Sequence, residues 1–409
     1  MEKEEVWVVL LGPQYYSIDD LRHNRKVGLL YSKEEMKNFL RKKREFLQEE
    51  DKYFFPLPLK ANKPLFYVQG EYLLSLRAEY LSALINDYEE KEKFFFSRHI
   101  TDILMARIFS EVEGTLSIEN VTTTRKKIEA IRKASVLTDK NDIIVKNMLN
   151  AFDYIMKDTP AFNKENLRKL YGILSQGCLE KGDELKPEAY YRDDAVCIGG
   201  YDGAPAEEIE EMMDSLFSFA GDSANAKKYG IFLPLIAHYY ILYVHPYFDY
   251  NGRTARMVSL WLSFLHNITM APLFISEAIN EEKKAYYRAI VNTRETENDL
   301  TYFFGYVLES SIKYSYVYKN LEALCAALEK EGIFLSSSEK LYVKKIIIHA
   351  PTGYFNAKKF AGFIKSEVSR QALHKILSAF TSYGILEKNQ NKKGETIYRL
   401  KEDLLFYSA

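Results

Sequence analysis

His245-Pro246-Tyr247-Phe248-Asp249-Tyr250-Asn251-Gly252-Arg253-Thr254-Ala255-Arg256 is the densest polar cluster in the chain. It separates two runs, 231–244 and 253–266, that are apolar nearly all round, and helices of that kind belong in the middle of a bundle. One His, one Asp and two Arg therefore meet at a junction inside a core. Asn251-Gly252 reads as a turn that permits positive φ. A helix starting near 253 presents free backbone N–H groups and the positive end of its dipole. Arg253 and Arg256, three apart, share one face of its first turn, with fork geometry suited to phosphate oxygens. Asp249 is a hard oxygen donor of the kind Mg²⁺ takes beside substrate phosphates. His245, at the end of the preceding helix, is placed to take a proton from an incoming nucleophile. Base, metal ligand and polyphosphate clamp suffice to transfer a phosphorus-linked group from a nucleotide. The plainer reading of N-G-R-x-x-R is a capped helix carrying surface ion pairs.

Outward from this junction, apolar residues recur at three- and four-residue spacing from about 71 to 330, predicting one large helical domain. Residues 1–70 read as a mixed segment: a strand-like run at 6–11, turn signals at Gly12-Pro13, a charged helix near 33–50 capped by Ser32, then a proline-interrupted loop or edge-strand stretch. Residues 336–409 read as a separate module of three short helical patterns and a strand–turn–strand, the order of a winged helix–turn–helix. From 339 to 401 there are 13 Lys and Arg against 4 Asp and Glu. That basic excess suits a DNA or protein partner, with Arg370, Gln371, His374 and Lys375 on the candidate groove helix and Lys392-Lys393-Gly394 at the wing tip. A protein-interaction or dimerisation module with a solvated basic face is the alternative, and a homodimer follows from it.

The whole chain has 409 residues, 56 Lys and Arg, 57 Asp and Glu, and 47% apolar residues. That excludes wholesale disorder and argues against bulk coating of nucleic acid. Gly and Pro make up about 7% of the chain against a background of roughly 12%, which favours long helices and short loops. Cys178, Cys197 and Cys325 are too few and too scattered for a disulfide framework or a Cys-x-x-Cys metal site. The acidic start, MEKEEVW, is unlike a signal peptide, and no apolar run is long enough for a membrane span. The expectation is a mainly α, cytoplasmic protein.

The cluster resembles the signature of the Fic-domain family, H-P-F-x-[D/E]-G-N-G-R-x-x-R. It matches at His245, Pro246, Asp249, Asn251, Gly252, Arg253 and Arg256, with Tyr247 in place of Phe and Tyr250 in place of the second-to-last Gly. The resemblance extends over roughly 75–310 and implies a Fic-type helical bundle with a small β-hairpin flap. It implies transfer of AMP from ATP to a Ser, Thr or Tyr hydroxyl of a target protein, with self-modification. His245 would be the general base. Asp249 would hold Mg²⁺. Asn251, Gly252, Arg253 and Arg256 would bind the phosphates, and Tyr287 would contact the base or ribose, with Arg294 near a position usually occupied by Asn. The flap would lie within 191–201, at Ala195, Val196, Cys197, Ile198, Gly199 and Gly200, and hold the target by strand addition. Thr115, Glu119 and Asn120 match the inhibitory motif [S/T]-x-x-x-E-[G/N], placed after a helix at 102–113 and a Gly; a simple helix cap fits the same letters. The resemblance thus implies an autoinhibited AMP transferase. Two other readings stay open: a hydrolase that removes AMP at the same site, and a DNA-binding or interaction protein with a degenerate core, which Tyr250 favours.

Overall fold

In a computed structural model, Phe232–Val244 is a helix in which every side chain except Leu242 is buried. Pro234 sits in its first turn, where a missing N–H costs nothing. A six-residue loop follows, then the helix Asn251–Leu265, buried almost throughout to Ser263. The structure describes residues 21, 31–46, 52–60, 63–82, 112–119, 121, 123, 125–134, 136–137, 139–268, 275–364, 368–401 and 404. The strand-like run at 6–11 and residues 101–111 lie outside them. The described residues up to Ser311 belong to one compact unit and those from Ile312 to a second.

In the first unit the two buried helices pack against each other and are sheathed by Lys164–Ser175, Ile209–Ala220, Ser223–Tyr229 and the π-helical turn Tyr154–Asp158 that extends Lys140–Asp153. Three of the surrounding helices begin at polar caps: Asp139 accepts from the Asp142 amide, Asn163 from Asn166 and Asp222 from Ala224. Each of these starts gains a side-chain acceptor without help from the core. Trp261, fully buried, donates its indole N–H to the Pro160 carbonyl at 2.8 Å and meets Phe162 edge-on at 5.1 Å. That contact fixes the entry of Lys164–Ser175 against the arginine-bearing helix.

The proline-rich stretch near the N-terminus is more ordered than a loop. Lys52–Phe55 pairs antiparallel with Leu65–Val68, with Phe55 opposite Leu65, and all four residues of the second strand are buried. Pro56, Pro58 and Pro64 fall between the strands, so no ladder hydrogen bond is lost. Tyr67 lies within 6 Å of the rings of Tyr53, Phe55, Phe232 and Phe304, which anchors the hairpin on the central helix. The charged helix spans Lys33–Phe46, with Ser32 and Glu35 forming reciprocal cap bonds.

The second unit contains Ser337–His349, Ala357–Ile364 and Arg370–Ser382, then the antiparallel pair Leu386–Gln390 and Thr396–Leu400. Ser336 and Glu339 form a capping box, and Ser369 caps the third helix. Phe355 bridges to Tyr398, and Phe360, Leu377 and Phe380 fill the space beneath. Arg370, Gln371, His374 and Lys375 are exposed. Among the described residues no helix is long and apolar enough to cross a membrane.

Trp261→Phe is expected to lower stability by about 1–3 kcal/mol, because it leaves the part-buried Pro160 carbonyl without its donor. Urea unfolding followed by tertiary-structure signals checks this, and an unchanged midpoint would remove the indole bond from the account.

Candidate active site

The loop between the two buried helices is bounded by two residues in the left-handed region. His245 (φ 55°, ψ 62°) ends the first helix and Tyr250 (φ 67°, ψ 6°) precedes the second. The positive φ expected at Asn251-Gly252 therefore falls one residue earlier, and Asn251 and Gly252 are already helical. The reason is visible in the bonds. The Asn251 side chain accepts from the Tyr247 amide at 3.0 Å and donates to the Tyr247 carbonyl at 2.8 Å, so it closes the loop from within the first helical turn. Asp249 accepts from the Tyr250 amide at 2.6 Å. Tyr247 is fully buried and stacks on Tyr171 at 3.8 Å, pinning the loop to Lys164–Ser175.

Tyr250 stands at a backbone position that favours Gly, since a side chain in this region costs about 1–2 kcal/mol. Its ring does not turn outward; only 3% of the residue is exposed. The Arg253 guanidinium lies 3.4 Å from the ring centroid. Burial and a cation–π contact offset the strain, and the loop keeps the backbone that a Gly would give it.

Burial, with the charges of Arg192 and Arg294, pushes the His245 imidazole down to about 4; a hydrogen bond to the Leu242 carbonyl opposes the shift only partly. The ring is therefore neutral at pH 7 and able to accept a proton. Asp249 is about half exposed and lies 3.8 Å from Arg253. Among the described residues no three His, Cys, Asp or Glu side chains gather as a metal cluster. A metal here would draw on this single carboxylate and on oxygens of a bound substrate.

Arg253 and Arg256 are 7% and 4% exposed, and the Nε of each has no hydrogen-bond partner. Buried guanidinium donors of this kind are built for an anion. Arg256 has one already: it donates to Glu119 at 2.7 Å. Burial alone would raise the Glu119 carboxyl, but the Arg256 charge and hydrogen bond, then Arg253 and Lys283, hold it below its usual value. A Cβ on Gly252 would lie 3.1 Å from the Glu119 carboxylate and 3.3 Å from Arg256. Glu119 thus reaches the first turn of the arginine-bearing helix through a space that only Gly leaves open.

Glu119 arrives on a short helical segment. Residues 112–118 are helical, so Gly114 lies inside the helix rather than after one. A Cβ there would meet the Ser276 and Glu277 backbone at 2.8–2.9 Å, which explains the Gly as close packing instead of a break. Thr115 is buried and donates to the Ser276 hydroxyl at 2.7 Å. Lys283 donates to the carbonyls of Ser117 and Ile118, the negative end of the segment. Asn120 lies outside the described residues.

The flap is a two-residue hairpin, Cys197–Ile198 with Tyr201–Asp202, closed by Gly199 (φ 55°) and Gly200 (φ 83°), two positive angles that a tight primed turn requires. Ala195, Cys197, Ile198, Gly199 and Gly200 are exposed and Val196 is half-buried. Tyr287 is 53% exposed and its phenol feels both Glu119 and Arg256, so it faces the site while its neighbour Tyr286 fills the core. Arg294 reaches the Leu242 carbonyl at 3.4 Å and covers the flap's Tyr201 at 3.5 Å from its ring centroid. Sequence reasoning passed over Arg192 and Lys283. Neither stands in a recognisable motif.

Residues 161–263 match the Fic/DOC family. The chain is 22% identical over 186 residues to a protein adenylyltransferase Fic of Nematostella vectensis, and 21% identical over 208 residues to one of Drosophila ananassae. These matches span 43% and 50% of this chain but only 43% and 40% of those proteins, less than half of their length. Among solved structures, a Fic family protein from Desulfovibrio desulfuricans G20 aligns over 81% of this chain and 96% of its own at 17% identity and a TM-score of 0.49. Fic-1 (residues 134–508) from C. elegans aligns over 74% of this chain and 80% of its own at 18% identity and a TM-score of 0.47. The matched stretch contains the flap, His245 and both arginines on one helical frame, and this stretch of the chain is similar to the Fic/DOC family.

Proposed function

We propose that this protein is an autoinhibited AMP transferase acting on hydroxyl side chains of a target protein, itself included. The observation that carries the reading is the Glu119 carboxylate on Arg256, an anion held where two buried guanidiniums await phosphate oxygens. The curated relatives that the chain resembles bear the name protein adenylyltransferase, which agrees with it.

In this reading ATP places its phosphates against Arg253, Arg256 and the amides at Gly252, with the base near Tyr287. Neutral His245 takes the proton from the target hydroxyl as its oxygen bonds to the α-phosphorus. The bond from that phosphorus to the bridging oxygen breaks, and pyrophosphate leaves. Mg²⁺ would be held by Asp249 together with the phosphates and would neutralise charge on them. The exposed edge of the flap would register an extended segment of target through main-chain hydrogen bonds. Glu119 competes with a phosphate for Arg256, so ATP binds with its α-phosphorus out of line until the 112–119 segment withdraws. Removal of AMP by a water oriented on Glu119 is the second reading, favoured by the presence of that carboxylate in the site. The exposed basic helix of the second unit, read as a winged helix over 336–409, is assigned to a DNA or protein partner.

Mass spectrometry after incubation with ATP and Mg²⁺ tests the reading. Glu119→Gly protein should gain AMP far faster than wild type. A charge pair at about 4 Å and an effective dielectric near 20 interacts by on the order of 4 kcal/mol, so the gain has a ceiling of roughly a thousandfold. His245→Ala in the same background should lower the rate by about 10²–10⁴. No AMP on either Glu119→Gly protein or an added target would overturn it.

Gly114→Ala should also raise transfer, although Ala is the better helix former by about 1 kcal/mol. Its Cβ collides with backbone at Ser276–Glu277 and pushes Glu119 away from Arg256. Auto-modification compared on one gel with labelled ATP decides it; labelling no greater than wild type would detach the segment's docking from its control of the site.

The pH dependence follows from the His245 shift. The folded value is depressed, so the unfolded chain binds the proton first as pH falls from about 6.5. The stability that the neutral ring contributes is present above that pH and is lost between about 6.5 and 4. Transfer should hold steady down to about pH 5 and fall through about 4. NMR titration of the labelled imidazole reads the same value without any activity, and a midpoint near 6.5 would contradict the buried placement.

A further inference from the structure

Arg192 is 2% exposed, yet all the hydrogen bonds its guanidinium makes go to main-chain carbonyls. Nε donates to the His245 carbonyl at 2.7 Å. One terminal nitrogen donates to the Asp194 carbonyl, and the other to the carbonyls of Ala204 and, at 3.4 Å, Val244. Its own amide donates to the Pro246 carbonyl at 2.9 Å. Asp194 and Ala204 are the two legs of the flap; Val244, His245 and Pro246 are the helix end that carries the imidazole. The legs are also joined to each other, Gly203 N–H to the Val196 carbonyl, and to the helix, Ala204 N–H to the Val244 carbonyl, both at 3.0 Å. Gly203 makes room: a Cβ there would lie 2.8 Å from the guanidinium and from Val196, and 3.3 Å from the His245 Cβ.

A buried cation that spends its fork on carbonyls needs those carbonyls to stay where they are, and they need it. A left-handed His at a helix end is costly unless its surroundings hold it. We propose that Arg192 is a positioning residue that locks both legs of the flap to the backbone of His245, so that a hydroxyl held on the flap edge and the imidazole move as one body. This rests on the transferase reading for its catalytic consequence but not for the clamp itself. A Lys cannot reproduce it: a point charge on a flexible stem does not span four carbonyls.

Two measurements on the full chain test it. The first is hydrogen–deuterium exchange of wild type and Arg192→Lys without nucleotide. Exchange should quicken about tenfold or more at residues 192–204 and 244–246, while amides of 255–263 keep their protection. The second, in the Glu119→Gly background, compares transfer kinetics. Arg192→Lys should lower kcat about 10- to 100-fold with the KM for ATP within about twofold, because nucleotide contacts are untouched and only the mutual placement of hydroxyl and base is lost. Gly203→Ala, which displaces the guanidinium without altering Arg192, should reproduce both effects and serves if Arg192→Lys does not fold. Unchanged exchange at the flap, loosening spread equally over the buried helices, or a loss confined to KM would each overturn the clamp. If the Glu119→Gly protein transfers no AMP, the functional reading fails, and the exchange pattern alone still decides for or against the clamp.

Discussion

The loop between the two buried helices must satisfy its buried polar groups without water, and the rest of the structure depends on how it does so. Helix Phe232–Val244 and helix Asn251–Leu265 lie side by side in the core, so six residues reverse the chain at its edge. Unpaired polar atoms there would cost about 1–3 kcal/mol each. Asn251, Asp249 and Arg192 supply the partners, and His245 and Tyr250 accept left-handed backbone to make the turn fit. What results is a rigid rim carrying an imidazole, a carboxylate and a helix N-terminus with two arginines.

Around that rim three separate pieces converge on electrostatic grounds. The 112–119 segment delivers Glu119 to Arg256, held by Gly114 packing and by Lys283 at its end. The flap is fastened by Arg192 below and by Arg294 over Tyr201. The aromatic hairpin 52–68 packs on the central helix, and Lys60 donates to the Asp202 carbonyl beside the flap. Excess positive charge is common to all three. Burial, with the charges of Arg192 and Arg294, depresses the His245 proton affinity, while Arg256, Arg253 and Lys283 lower that of Glu119, so at neutral pH the imidazole is neutral and the carboxylate charged.

Tyr250 shows how a departure from a motif can leave the backbone intact. The residue type argues for a changed loop, since Gly is the usual occupant of a positive-φ position. The structure keeps the Gly-like angle and stacks the ring under Arg253 instead. The residue alters what one buried arginine rests on, not the path of the chain.

Much of this was legible from residue order alone. Apolar runs on both sides of His245–Arg256 required two central helices, because residues apolar all round have nowhere else to go. The spacing His-x-x-x-Asp-x-Asn-Gly-Arg-x-x-Arg put the chemistry at their junction, and Gly199-Gly200 marked the hairpin turn. The Glu119–Arg256 pairing, 137 residues apart, followed only from a resemblance; local pattern does not encode which carboxylate crosses a fold to meet which arginine. The sequence misplaced the positive φ by one residue, because Asn-Gly is a good turn in isolation and Asn251 here is bonded back to Tyr247 from within a helix. Gly114 looked like a helix end and is a packing contact with Ser276–Glu277. Arg192 carried no signal at all, since its partners are main-chain carbonyls, which every residue has, and only tertiary structure decides which of them gather around one guanidinium.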